Sequence, residues 1–117
     1  MPRLIETGSS FSKLLLSIYQ LTHVISLFIT RGNEKGQMYD VPPEGVTVGR
    51  DLENGICLTD LETSRTHCQI AIEDGEIFLV DLKSSNGTTV NGKMVVRTPI
   101  KIGDHIQSDH CLISFLR

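Results

Sequence analysis

The chain turns on one stretch, Asp81-Leu82-Lys83-Ser84-Ser85-Asn86-Gly87-Thr88-Thr89-Val90-Asn91-Gly92. Two Asn-Gly pairs punctuate it, Asn86-Gly87 and Asn91-Gly92, and both suit the positive φ that Gly and Asn tolerate. Between them Thr88, Thr89 and Val90 favour an extended backbone. The stretch therefore reads as a strand end, a polar loop, a short strand and a tight turn. Turn chemistry this dense fixes a loop shape, and Ser84, Ser85 and Asn86 are the side chains it presents. Two upstream pieces belong beside it: Val48-Gly49-Arg50 and Thr63-Ser64-Arg65-Thr66-His67.

Outward from that loop the pattern is short strands and turns. Ile25, Leu27 and Ile29 alternate, Arg31 to Gly36 turn the chain, and Gln37 to Val41 return. Pro42-Pro43-Glu44-Gly45 turns it again before Val46 and Val48, and Ile56-Cys57-Leu58 is a short strand. Cys68, Ile70 and Ile72 share one face of the next strand, and Asp74-Gly75 predicts a two-residue hairpin into Ile77 to Val80. Ile100, Ile106 and Cys111 to Phe115 supply further strands around the Lys101-Ile102-Gly103-Asp104 turn. Turns recurring every ~8–12 residues point to an all-β sandwich or barrel.

Size and composition narrow the function. At 117 residues the chain is one domain's worth, and its 39% hydrophobic content without Trp predicts an aliphatic core. A net charge of −3 with no basic stripe argues against nucleic acid as a partner, so any anion site must be local. Three cysteines, an odd number with no C-x-x-C, argue against a disulfide framework and for a reducing, cytoplasmic setting. The most apolar run, Leu14 to Ile29, is 16 residues long and carries Ser17, Gln20, Thr22, His23 and Ser26. A membrane-spanning helix needs about 20 mostly apolar residues, and no signal-peptide cleavage pattern follows Leu14-Leu15-Leu16. Neither membrane insertion nor secretion is expected.

Residues 1–22 stand apart from the strand pattern as an N-terminal extension, with the domain proper at 23–117. Ser9 or Ser10 can cap a short helix whose apolar face is Phe11, Leu14, Leu15, Ile18 and Leu21. A disordered terminus is the competing reading.

Taken singly, the polar residues say little, because a lone Arg is usually a solvated charge. Arg50 follows Gly49 at a strand end, where its rigid fork can meet a phosphate with two hydrogen bonds. Ser64, Arg65 and Ser85 add hydroxyls and a second cation, and Asn86 offers a donor and an acceptor to a peptide backbone. The ordered set is more specific. Gly49-Arg50, then Ser64-Arg65-Thr66-His67, then the Asp81 to Gly92 loop, then Gly103-Asp104-His105-Ile106 resembles the forkhead-associated (FHA) domain over about residues 24–117.

That resemblance implies an eleven-stranded β-sandwich of the SMAD/FHA type, two antiparallel-type sheets whose loops at one end bind phosphothreonine peptides. It implies phosphate contacts from Arg50, Ser64 and Ser85, with Arg65 a further one at a position where the family varies. Asn86 corresponds to a residue that holds the peptide main chain, and Gly49, His67 and Gly87 to residues that support the loops. The expected partner is a phosphothreonine protein made by a Ser/Thr kinase. A phosphothreonine carries about −1.5 to −2 charges and three strong acceptor oxygens. Charge-assisted hydrogen bonds of about 1.5–3 kcal/mol each outweigh repulsion from a weakly acidic protein, screened over ~8 Å. Asp60 and Glu62, close by in sequence, suggest a preference for basic residues after the phosphothreonine. Residues 1–22 have no counterpart in the family pattern.

Three rival readings are weaker. A nucleophile built from Ser64 or a cysteine, His67 and Asp81 lacks a Gly-x-Ser-x-Gly turn and an oxyanion segment, so no enzyme is expected. A metal site from His67, Cys68, His105, His110 and Cys111 would need neighbours in a strand to face one ion, so neither metal nor cofactor is expected. A phosphate-independent scaffold of the same fold is the remaining alternative, which the joint presence of Arg50, Ser64 and Asn86 disfavours.

Overall fold

Residues 25–116 are described in a computed structural model of the chain, so the 1–22 extension, with its expected helix, lies outside them. Eleven strands run in order: β1 (Ser26–Arg31), β2 (Met38–Asp40), β3 (Val46–Gly49), β4 (Ile56–Cys57), β5 (Cys68–Glu73), β6 (Glu76–Asp81), β7 (Thr88–Val90), β8 (Lys93–Val95), β9 (Arg97–Pro99), β10 (His105–Ser108) and β11 (Cys111–Leu116). They form a six-stranded sheet, β2-β1-β11-β10-β7-β8, and a five-stranded sheet, β4-β3-β5-β6-β9. The expected all-β sandwich of eleven strands is what the chain builds. One pair departs from the antiparallel pattern: β3 and β4 run parallel, Val48 opposite Ile56 and Gly49 opposite Cys57.

Turn chemistry sets the register. Asp74 and Gly75 have φ of 50° and 82°, so the hairpin closes with Glu73 opposite Glu76. Asn91 and Gly92, at 51° and 85°, do the same between Val90 and Lys93. Positive φ at both central residues matches the twist of the flanking strands, which is why Asp-Gly and Asn-Gly serve here. At the other Asn-Gly pair only Gly87 has positive φ, and the loop's second left-handed residue is Lys83.

Between the sheets lies the aliphatic core the composition implies. Leu27, Ile29, Ile56, Ile70, Leu79, Ile106, Ile113 and Phe115 are almost wholly buried. Cys68 and Cys111 belong to it, and burial pushes both thiols up to about 12, so they stay protonated and pack as small apolar groups. Ile72, expected on the same face as Cys68 and Ile70, is only half buried because it nears the end of β5. Strands β8 and β9 carry no alternating pattern of their own and form as the outer strands of the two sheets. Pro99 is tolerated in β9 because an outer strand has one side free of ladder bonds. Among the described residues no helix is long and apolar enough to cross a membrane.

Leu79 is fully buried on the middle of β6. Leu79→Ala is expected to cost about 2–5 kcal/mol, seen as a lower urea midpoint at unchanged slope.

Candidate functional site

Four connections gather at one end of the sandwich: β3–β4, β4–β5, β6–β7 and the β10–β11 turn. The first two are stitched by backbone bonds. Arg50 N donates to Ser64 O at 3.0 Å and Asp51 N to Arg65 O at 3.1 Å. Asn54 Nδ2 donates to both Asp51 O and Arg65 O, at 2.8 and 2.7 Å. Gly49 sits under this seam. A Cβ there would stand 2.3 Å from the Arg65 carbonyl oxygen, so the close approach requires glycine.

His67 joins the second loop to the third. It is fully buried just before β5. Its Nδ1 accepts from Ser64 N at 3.2 Å, and its Nε2 lies 2.9 Å from Gly87 O. A backbone N–H on one side and a carbonyl on the other leave one tautomer: Nε2 carries the proton and donates to Gly87. Both nitrogens are thereby occupied. Neither is free to act as a base toward Ser64 or to ligate a metal.

Asp81 shapes the β6–β7 loop from below. Its Oδ1 accepts from Ser84 Oγ at 2.5 Å and Thr88 Oγ1 at 2.7 Å, and its Oδ2 from Ser84 N at 3.2 Å. Burial alone would raise its pKa, but the bonds from Ser84 and Thr88 more than offset that and hold the carboxyl below its ordinary value. Opposite the loop, Met94 of β8 packs against Gly87, where a Cβ would come 2.3 Å from its sulfur.

This frame brings the sequence-predicted polar residues together. Ser64 Oγ accepts from Ser85 N at 2.8 Å, and the two hydroxyls are 3.4 Å apart. Arg50 is half buried and its Nε donates to Thr63 O at 3.1 Å, which aims the guanidinium and leaves its Nη groups for other partners. Ser85 and Asn86 are exposed beside them. Arg65 is exposed too, and its side chain has no hydrogen bond or ion pair among the described residues. Only its backbone takes part in the seam.

Three features escaped the sequence reading. Asn54 and Asp81 act as staples; the signal for Asp81 was an acid with hydroxyls three and seven residues on. The β10–β11 turn, Asp109-His110, also reaches the loops. Asp109 Oδ1 accepts from Asn86 Nδ2 at 2.7 Å, and His110 Nδ1 lies 3.1 Å from Asp60 Oδ2. Asp60 also accepts from Glu62 N at 3.0 Å, which with His110 keeps its pKa low. Asp60 is thus held by its own loop and by His110, its side chain 15% exposed; Glu62, 60% exposed, lies 3.7 Å from the same His110 nitrogen.

A family model described as the FHA domain matches residues 46–108, more than half of the chain. The chain belongs to the FHA domain family. Among curated relatives of this FHA domain, the oxoglutarate dehydrogenase inhibitor of Corynebacterium efficiens is 34% identical over 90 residues, covering 77% of this chain and 63% of the relative. The glycogen accumulation regulator GarA of Mycolicibacterium smegmatis is 32% identical over 90 residues, covering 77% of this chain and 57% of the relative. The chain thus spans less than two thirds of the length of these relatives. Of solved structures, an FHA domain studied for phosphothreonine-dependent interactions superposes with a TM-score of 0.73 at 29% identity, over 80% of this chain and 96% of that one. EmbR of Mycobacterium tuberculosis, in complex with a low-affinity phosphopeptide, superposes with a TM-score of 0.71 at 27% identity, over 80% of this chain and 24% of that one.

The depressed Asp81 pKa has a signed consequence. In acid the unfolded chain binds a proton that folded Asp81 resists, so stability rises with pH there. Asp81's contribution is complete above the ordinary carboxylate value of 3.8 and is lost as pH falls through the lower folded value. Denaturant midpoints measured from pH 2 to 6 are expected to climb in the parent and to climb less in Asp81→Asn.

Proposed function

We propose that this FHA domain docks phosphothreonine-bearing segments of partner proteins, in the cytoplasm and downstream of a Ser/Thr kinase, without catalysing a reaction itself. The observation that carries this is the convergence of Arg50, Ser64, Ser85 and Asn86, from three separate loops, on one accessible end of the sandwich. The family membership and the phosphothreonine-dependent neighbour support the same reading.

The chemistry follows from the donors. With Nε committed to Thr63 O, the Arg50 Nη groups can take two phosphate oxygens as a fork. Ser64 keeps accepting from Ser85 N through its lone pairs, and its O–H, which donates to Ser85 Oγ over a long 3.4 Å, can turn to donate to a third oxygen. Ser85 supplies a second hydroxyl, and Arg65, exposed at the rim, adds long-range attraction that salt weakens. Asn86 grips the peptide main chain through its carboxamide. Gly49, His67 and Gly87 hold the loops and touch no ligand. For the flanking residues, Glu62, 60% exposed and 3.7 Å from His110 Nδ1, is the more accessible acid to favour a basic side chain.

Fluorescence polarisation with one peptide, phosphorylated and not, separates this reading from a phosphate-independent scaffold, which binds both forms alike. Arg50→Ala is expected to leave the thermal midpoint within a few degrees while removing most phosphopeptide affinity. Arg50→Lys should rescue little, because an ammonium is a point charge without a fork. A Lys variant that binds like the parent rules out the bidentate contact.

A further inference from the structure

The two-residue turn between β10 and β11 holds an expensive residue. Asp109 follows Ser108, which pairs with Cys111 across the hairpin, and its φ is +52°. Left-handed backbone costs a residue with a Cβ more than it costs glycine, its usual occupant, although Asp and Asn bear it better than other side chains. Asp109 Oδ2 is buried and has no hydrogen-bond partner among the described residues. An unpartnered buried carboxylate oxygen is a second cost. Glycine at this position would shed both.

What glycine would lose is the carboxylate's bond to Asn86, where Oδ1 accepts from Nδ2 at 2.7 Å. The backbone carbonyl of Asp109, which accepts from Gln107 Nε2 at 3.1 Å, would remain. The Asn86 bond has a directional effect. A carboxylate can only accept, so the carboxamide must turn its NH2 toward Asp109. That fixes which way the amide faces and leaves Oδ1 and one N–H for other partners. A peptide main chain offers the matching N–H and C=O.

We infer that Asp109 is a positioning residue of the phosphopeptide site, holding the Asn86 carboxamide in its peptide-gripping orientation at the expense of the turn's own stability. The inference rests on the reading above that Asn86 binds the peptide main chain. Residues kept at a cost to the fold are a recurring mark of binding function.

The test compares Asp109→Gly, Asp109→Asn and Asn86→Ala, alone and combined, by thermal midpoint and by polarisation with the tightest phosphothreonine peptide from a library screen. Asp109→Gly is expected to melt at or above the parent temperature yet bind about 3- to 10-fold more weakly, the span of one hydrogen bond's net worth. Asp109→Asn keeps an acceptor oxygen and should stay within about twofold of the parent. In the Asn86→Ala background Asp109→Gly should add nothing, since Asp109 acts through Asn86. Nuclear magnetic resonance of the peptide-free protein should show the Asn86 side-chain NH2 signals shifted in the parent and moving toward solvent-exposed values in Asp109→Gly. Parent-like affinity in Asp109→Gly overturns the inference. So does a lowered melting temperature with the same affinity loss whether or not Asn86 is present, the mark of a purely structural turn. A parent that binds phosphorylated and unphosphorylated peptide alike overturns the underlying reading instead, and the NH2 signals still tell the two failures apart.

Discussion

A buried imidazole ties the candidate site together. His67 spans from Ser64 N to Gly87 O, between the loop that offers Ser64 and the loop that offers Ser85 and Asn86. Its ring is sealed from water, so losing either bond would strand a polar group where no solvent can replace it. Because each nitrogen meets a partner of fixed character, the ring cannot flip or change tautomer without breaking both contacts. The hydroxyl-to-amide distance of 2.8 Å between Ser64 and Ser85 is a product of that constraint.

Around His67 the loops are secured by backbone groups and short polar side chains in place of apolar packing. Asn54 caps two carbonyls, Asp81 collects three donors, and Gly49 lets two chain segments approach more closely than a Cβ would allow. Such fixtures give shape with little hydrophobic burial, which leaves Arg50, Ser85 and Asn86 accessible. A partner therefore meets groups already oriented, and binding need not order them at the cost of affinity.

Much of this was legible in the residues. Alternating aliphatics marked most strands, and Asp74-Gly75 and Asn91-Gly92 announced their hairpins because positive φ is a strong chemical requirement. Arg50, Ser64, Ser85 and Asn86 were visible through their order along the chain, and the fold brings them to one end. Strands β8 and β9 were silent because outer strands bury too little to need a pattern; Met94 is 66% exposed. The parallel β3–β4 pair was equally hidden, since two residues of β4 hold no directional signal. The loop contacts of Asn54, Asp109 and His110 escaped notice because their partners lie 11 to 50 positions away, a link that only the folded chain makes.

The β6–β7 connection leaves the five-stranded sheet and enters the six-stranded one, carrying Ser85 and Asn86 across the seam of the sandwich. Arg50 and Ser64 belong to connections of the first sheet, while the turn that meets Asn86 belongs to the second. Neither half alone contains a working set of groups. A nascent or damaged chain with its halves undocked is consequently blind to the kinase-marked partners that the assembled protein is proposed to take. Recognition is its own quality control: the capacity to engage a target certifies that folding has finished.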